Sequence, residues 1–361
     1  MEVLPVIKKL AAKRLPQSRQ VPTSVTEQDI IARLVQPAQE AGATDDTVAA
    51  VNFYVALKSK PLTLLTGPAH SGKVALVENL AHLLTGRDYS QCQMLIGHPQ
   101  WTASSPQAAF FEQVHKRWNA SKILALLEEA WQPENAGKVF HACLTRITLA
   151  ELTDFFSEVA SQLVHGHIMR LPSFHLSHPV PFPPNLSLIG TMDTLREDGW
   201  DADLLSMATI IQWPDVQAAL DTDCHSPSKV AGAESEFLRA SIRTERTARR
   251  KLHRIMGWQL HGLQPLYQIA DVLRAYARQL PRSVIGEAIV YVANAWSRQG
   301  VGLFDPATPR NAAISLDLAI AQTILPRIAD VLRQSAAVRG HVMEILQKHS
   351  PRSLAFMGSL A

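Results

Sequence analysis

The sequence predicts an α/β fold in which a parallel-sheet core is followed by an all-helical part. Three observations predict it. Short apolar runs alternate with helical stretches as far as residue 213, which is typical of parallel strands joined by crossover helices. One of these runs leads through a glycine-bounded loop into a helix. From Pro214 onward the pattern is helical throughout.

The strand predictions rest on five short apolar runs, and the helix predictions rest on apolar spacing. We predict strands at 61–66, 92–96, 139–144, 186–190 and 208–213. We predict helices at 73–84 and 149–163 in the core, and at 235–256, 258–279, 283–298, 311–332 and 337–348 beyond it. These elements divide the chain into an N-terminal helical segment (1–45), an α/β core (46–215) and a helical part (216–361).

The composition narrows the class of protein. Hydrophobic residues make up 47% and charged residues 19% of the 361, so much of the chain is expected to be packed core. We find no uncharged apolar run of 18 residues and therefore predict no membrane span. Three separated cysteines, Cys92, Cys143 and Cys224, give no disulfide framework and favour a reducing, cytoplasmic setting. The net charge of +3 does not by itself indicate a nucleic-acid partner.

The glycine-bounded loop matches the phosphate-loop pattern G-x-x-x-x-G-K, and it lies between a predicted strand and a predicted helix, as that pattern requires. The candidate phosphate-binding residues are Gly67, Pro68, Ala69, His70, Ser71, Gly72, Lys73 and Val74. Such a loop wraps phosphate with backbone N–H groups, and its lysine reaches the β- and γ-phosphates. Val74 stands where a Ser or Thr hydroxyl binds Mg²⁺, and valine has no metal-binding group. The alternative is a chance glycine loop between strand and helix.

Five further segments carry a family resemblance. They read NFYVALKSKP at 52–61, HPQWT at 98–102, LTRITLAELTDFF at 144–156, PPNLSLIGTMDT at 183–194 and LDLAIAQTILPR at 316–327. In this order they resemble motifs of the AAA+ module of the McrB family, the GTP-using subunits of methyl-directed McrBC restriction systems. The resemblance covers about residues 45–330 and implies an AAA+ P-loop core with a C-terminal helical lid. It also implies ATP or GTP as cofactor, assembly into a homo- or hetero-oligomeric ring, and a nuclease partner.

The same resemblance exposes departures at the positions that hydrolyse nucleotide. Thr145 and Arg146 stand where the family has the Asp-Glu pair that holds Mg²⁺ and positions water. Asp193 replaces the sensor asparagine, and Met207 replaces the arginine finger. The resemblance therefore provides no catalytic residue and no ligand set for Mg²⁺, unless Glu151 or Asp154 supplies a displaced carboxylate.

Other polar residues have two interpretations each. Arg282 lies near the place where an AAA+ lid supplies a phosphate-sensing arginine, or it is simply the first residue of a helix after a proline. Four histidines (His165, His167, His175 and His178) have metal-like spacing, but exposed loop histidines are the favoured interpretation.

Residues 239–254 hold seven basic side chains and one acidic one. Arg243, Arg246 and Arg250 are candidates for DNA contact, although a solvated basic face is the commoner outcome. The seven tryptophans are scattered, and we predict that most of them fill the core or an interface.

Three functional hypotheses follow. The favoured one is a pseudo-ATPase that binds nucleotide and assembles in a ring without efficient turnover. The second is an active ATP- or GTP-hydrolysing motor that drives a nuclease on DNA. The third is a scaffold or nucleic-acid-binding protein that makes no use of nucleotide.

Overall fold

The structure is a computed structural model and describes most of the chain. The described residues are 25–40, 44–86, 88, 90–96, 119, 121–123, 125–148, 182–193, 205, 208–213, 228–257, 260–347 and 350–359. The predicted boundary near residue 215 lies outside them, as do the predicted helix at 149–163 and the HPQWT segment.

A five-stranded parallel sheet forms the core, as the sequence predicts. Its strands are β1 (Leu62–Thr66), β2 (Cys92–Ile96), β3 (Phe140–Thr145), β4 (Leu186–Met192) and β5 (Ala208–Gln212), in the order β2-β3-β4-β1-β5. The four strand pairings of this sheet are parallel, and Leu62 of β1 lies between Leu188 of β4 and Ala208 of β5. All residues of β1 and β4 are buried, because both faces of a parallel sheet are covered.

Helices precede the sheet, connect its strands and follow it. They are α1 (Glu27–Glu40), α2 (Thr44–Ser59), α3 (Lys73–Thr85), α4 (Ala233–Ala240), α5 (Glu245–Met256), α6 (Gln264–Ala275), α7 (Arg282–Asn294), α8 (Thr308–Ala319), α9 (Leu325–Gln334), α10 (Ala336–Leu346) and α11 (Pro351–Ser359). Short 3₁₀ turns occupy Pro133–Asn135 and Leu260–Leu263. The described part thus confirms the predicted fold class, an α/β P-loop core with a helical C-terminal part.

The single helix predicted at 235–256 is wrong, because residues 241–244 separate α4 from α5. Asn294, at the end of α7, holds this connection in place. Its Oδ1 accepts the Ile242 N–H at 2.9 Å and its Nδ2 donates to the Ile242 carbonyl at 2.8 Å. Thr244 then caps α5, since its side chain accepts the Thr247 N–H. A contact distant in sequence therefore ends one helix and starts the next.

The helix predicted at 311–332 is longer and irregular. A π-helical segment, Ile320–Ile324, separates α8 from α9 just before Pro326, which has no backbone N–H to continue the regular ladder. The helical segment Thr308–Gln334 is long and apolar enough to span a membrane, but 61% of its most apolar window is buried inside the protein. Asp317 within it is buried and accepts the N–H groups of Arg352 and Ser353 at the start of α11, at 3.0 and 2.9 Å. The segment is packed as a core helix.

Two apolar clusters stabilise the described part. The larger includes Ile30 of α1, Phe53 of α2, Leu80 of α3 and Ile289 of α7, so the first helices share a core with the C-terminal ones. The smaller lies among the strands and the helical residues 125–131. Residues 27–40, which the sequence places in a separate N-terminal segment, are therefore part of the main packing.

A buried ion pair crosses the larger cluster. The Lys58 Nζ lies 2.6 Å from the Glu27 Oε1, and both side chains are fully buried. Lys58 also donates to the Asn294 carbonyl at 2.9 Å, and Glu27 accepts from the Tyr54 hydroxyl and the Arg298 N–H, each at 3.2 Å. These contacts fix α1 and α2 to the end of α7.

Candidate phosphate-binding site

The sheet order brings three strand ends to one place. β4 lies between β1 and β3, and all three run in parallel, so their carboxyl ends share one edge. The loop 67–72 follows β1, Arg146 follows β3 and Asp193 follows β4. Ligands of α/β sheets bind at this edge, which makes it the candidate functional site.

The loop leaves β1 in a conformation that needs glycine. A Cβ on Gly67 would lie 2.7 Å from the Trp213 carbonyl oxygen, so no larger residue fits there without movement. Gly72 has a φ of 80°, in the left-handed region, and precedes the first residue of α3. No side chain caps α3, so its first N–H groups face the loop, where an anion binds well.

Trp213 holds the loop in place through a hydrogen bond, a role that the sequence analysis did not assign to it. It follows β5, is 1% exposed and donates from its indole Nε1 to the Ser71 carbonyl at 2.6 Å. β5 lies beside β1, so the residue after β5 reaches the loop after β1. The only sequence signal is an aromatic residue at the end of the last apolar run.

Lys73 is folded into the loop. Its side chain is 3% exposed, and its Nζ donates to the carbonyls of Gly67 and Pro68 and to the Ser71 hydroxyl. The Nζ also lies 3.3 Å from the Asp193 Oδ1. Burial lowers the pKa of Lys73, and the Asp193 carboxylate partly opposes that shift. A phosphate that enters the loop must compete with these partners for the ammonium group.

Asp193 also contacts Arg146, the residue at the predicted acid position. The Arg146 Nε lies 3.4 Å from the Asp193 Oδ2, so the carboxylate is shared between two cations. The Arg146 backbone has a φ of 58°, and its N–H donates to the Thr191 Oγ1 at 3.0 Å, which holds this residue against β4. The Arg146 side chain is 45% exposed and reaches toward solvent.

These groups line a cavity of about 180 Å³. Its walls are the residues 70–75 of the loop and α3, with Arg146, Thr191 and Asp193 opposite. Pockets that enclose a whole small molecule measure roughly 300 Å³ or more, so the described cavity is of a size for a phosphate group.

The described residues of the site offer few ligands to Mg²⁺. Val74 lines the cavity without a hydroxyl, and the Thr145 Oγ1 donates to the Leu95 carbonyl at 3.3 Å on the neighbouring strand. The Asp193 carboxylate is paired with Lys73 and Arg146. No group of three His, Cys, Asp or Glu side chains suited to a metal occurs in the described part.

Arg282 is not brought to the phosphate loop. It is the first residue of α7 and lines a second cavity of about 770 Å³, together with Glu245, Arg249 and Tyr267. No residue of the loop lines that cavity. The predicted positions Met207, Glu151 and Asp154 and the four histidines at 165–178 lie outside the described residues.

The three candidate DNA-binding arginines have different surroundings. Arg243 lies in the connection between α4 and α5, and its guanidinium donates to the Leu57 carbonyl at 2.9 Å. Arg246 and Arg250 are exposed on one face of α5, four residues apart. Across the part of the chain that the structure describes, neither forms an ion pair with an acidic side chain.

The chain was compared with known proteins. No protein-family model matches it. No curated protein matches it either. A solved structure of PCH-2 from C. elegans, an AAA+ ATPase, is similar with 16% sequence identity and a TM-score of 0.26, over 76% of this chain and 67% of that one. We base the fold class on the sheet order, the loop and the helical part described above, and not on this similarity.

Proposed function

We propose that this chain is a catalytically impaired AAA+ subunit of the McrB-like type, which binds nucleotide through its phosphate loop without efficient hydrolysis. One observation carries the proposal. Lys73 sits in an intact loop at the helix N-terminus, while the residue facing it from β3 is Arg146 rather than an acid. The loop amides and Lys73 provide for binding.

Hydrolysis requires more than binding. A carboxylate must hold the metal or orient water, and an arginine finger stabilises the transferring phosphoryl group. The guanidinium of Arg146 cannot accept a proton from water, and Thr145 is turned toward β2. Such a subunit acts by holding nucleotide and by assembly.

Assembly and location belong to the same proposal. The motifs at 52–61, 144–156, 183–194 and 316–327 resemble those of ring-forming subunits, so we propose a homo- or hetero-oligomeric ring in the cytoplasm with a nuclease as a partner. A ring that also contains an active paralogue gives an impaired subunit a role, because it can hold nucleotide and pack beside the active subunit without hydrolysis. ATP and GTP are both candidates.

A second candidate is a nucleic-acid-binding or scaffold protein that does not use nucleotide. The exposed pair Arg246 and Arg250 on α5 favours it. The active-motor alternative needs a displaced carboxylate, for which Glu151 and Asp154 are the candidates. The scaffold alternative does not depend on Lys73, whereas the active motor needs Lys73 and differs from the main proposal in its turnover.

The test is nucleotide binding by calorimetry, with ATP and with GTP, for the wild type and for Lys73→Ala. We expect the wild type to bind one of them and the variant to bind about 10–100-fold more weakly, since a hydrogen bond to a charged group contributes about 1.5–3 kcal/mol. Lys138→Ala is the matched control, because Lys138 is exposed and precedes β3 at the opposite edge of the sheet. Wild-type and Lys73→Ala proteins that both fail to bind, while DNA binding persists in both, would favour the second candidate.

A further inference from the structure

The Asp193 carboxylate lies where an anion is expected. It contacts Lys73 Nζ at 3.3 Å through one oxygen and Arg146 Nε at 3.4 Å through the other, inside the cavity at the end of the loop. A phosphate bound by the loop seeks the same two cations, because charge-assisted bonds to Lys and Arg are the strong ones for phosphate oxygens. Asp193 and a phosphate therefore compete for one place.

Arg146 supplies a positive charge to a cavity whose described residues offer few ligands to a metal ion. Val74 and Thr145 provide no metal ligand, yet Lys73 and Arg146 together bring two cations to a cavity of about 180 Å³. The Arg146 side chain is partly exposed, and its backbone N–H is anchored to the Thr191 Oγ1. The guanidinium can therefore turn from Asp193 to an incoming ligand while the backbone stays in place.

We infer that Arg146 takes the place of the divalent cation, and that a nucleoside triphosphate enters the loop by displacing the Asp193 carboxylate from Lys73 and Arg146. Binding is then independent of Mg²⁺, and Asp193 acts as an internal competitor that weakens it. This inference rests on the proposed nucleotide binding. No covalent step is involved, since one anion exchanges for another at two cations.

The experiment measures ATP and GTP affinity by calorimetry for the wild type, Asp193→Asn and Arg146→Gln, each with excess Mg²⁺ and with EDTA. For the wild type we expect affinities that agree within about twofold in the two conditions. Asp193→Asn removes a negative charge beside the phosphates and is expected to tighten binding about tenfold or more. Arg146→Gln removes a charge-assisted contact and is expected to weaken binding about tenfold.

Two surface variants serve as matched controls. Asp330→Asn and Arg278→Gln make the same chemical changes at exposed positions of the helical part, and neither is expected to alter affinity. Melting temperatures without nucleotide show whether each variant is folded, and this reading does not depend on binding.

The outcomes separate this inference from the proposal on which it rests. Wild-type binding that strengthens tenfold or more with Mg²⁺, or weaker binding by Asp193→Asn, overturns the inference and leaves the proposed nucleotide binding intact. Folded wild-type and Asp193→Asn proteins that bind neither nucleotide overturn both.

Discussion

Replacing Lys58 with methionine is expected to lower the free energy of unfolding by about 3–5 kcal/mol, the usual cost of leaving a buried charge unpaired. Glu27, its partner at 2.6 Å, is fully buried, and its remaining hydrogen bonds within the described residues come from the Tyr54 hydroxyl and the Arg298 N–H. Lys58 also holds the Asn294 carbonyl at the end of α7, so the variant loosens the contact between the first helices and the C-terminal helical part.

Urea unfolding followed by tryptophan fluorescence measures this loss. The double variant Lys58→Met, Glu27→Gln is expected to recover most of it, because glutamine is neutral, its amide oxygen still accepts the Arg298 N–H, and its amide nitrogen can donate to the Tyr54 hydroxyl. Lys138→Met, at an exposed lysine, is the control and should change stability by less than about 0.5 kcal/mol. A Lys58→Met protein within about 1 kcal/mol of the wild type would contradict the role of this pair.

Acidification is expected to destabilise the protein through His141. This residue of β3 is 1% exposed, neither ring nitrogen has a hydrogen-bond partner within the described part, and burial lowers its pKa from 6.5 to about 4. Between those two values the unfolded chain binds a proton that the folded one does not. Stability therefore falls as the pH falls through this window, by about 3 kcal/mol at most.

His141→Leu tests this assignment. The variant removes the titrating group and two buried polar atoms, so we expect it to be more stable than the wild type by about 1–3 kcal/mol at neutral pH and by a larger margin at pH 4. Urea unfolding at both pH values gives the comparison. The exposed His341→Leu should behave as the wild type does. An equal loss of stability on acidification in wild type and His141→Leu would show that His141 does not cause that loss.

The sequence predicts the sheet well because its strands are short, mostly apolar runs, as buried parallel strands usually are. Each of the five predicted strands agrees with β1–β5 within two residues at either end, and the loop 67–72 lies between β1 and α3 as its pattern requires. The helical character of the C-terminal part is predicted, but the break before α5 is not. That break depends on Asn294, fifty residues away, as well as on the local cap of Thr244.

The chemistry of the site is predicted only in part. The resemblance aligned Arg146 and Asp193 with the acid and sensor positions, but their contact with each other and with Lys73 depends on β4 lying between β1 and β3. Trp213 reaches the loop only because β5 lies beside β1. Strand order brings together residues more than a hundred positions apart, and local patterns do not contain that information.

The most direct test of the central claim is nucleotide hydrolysis by the purified protein with ATP or GTP and excess Mg²⁺, measured beside Lys73→Ala. A phosphate loop faced by Arg146 instead of an acid predicts phosphate release no faster for the wild type than for the variant. Turnover of about 1 s⁻¹ that Lys73→Ala abolishes would contradict the account, since that is the rate of a working enzyme.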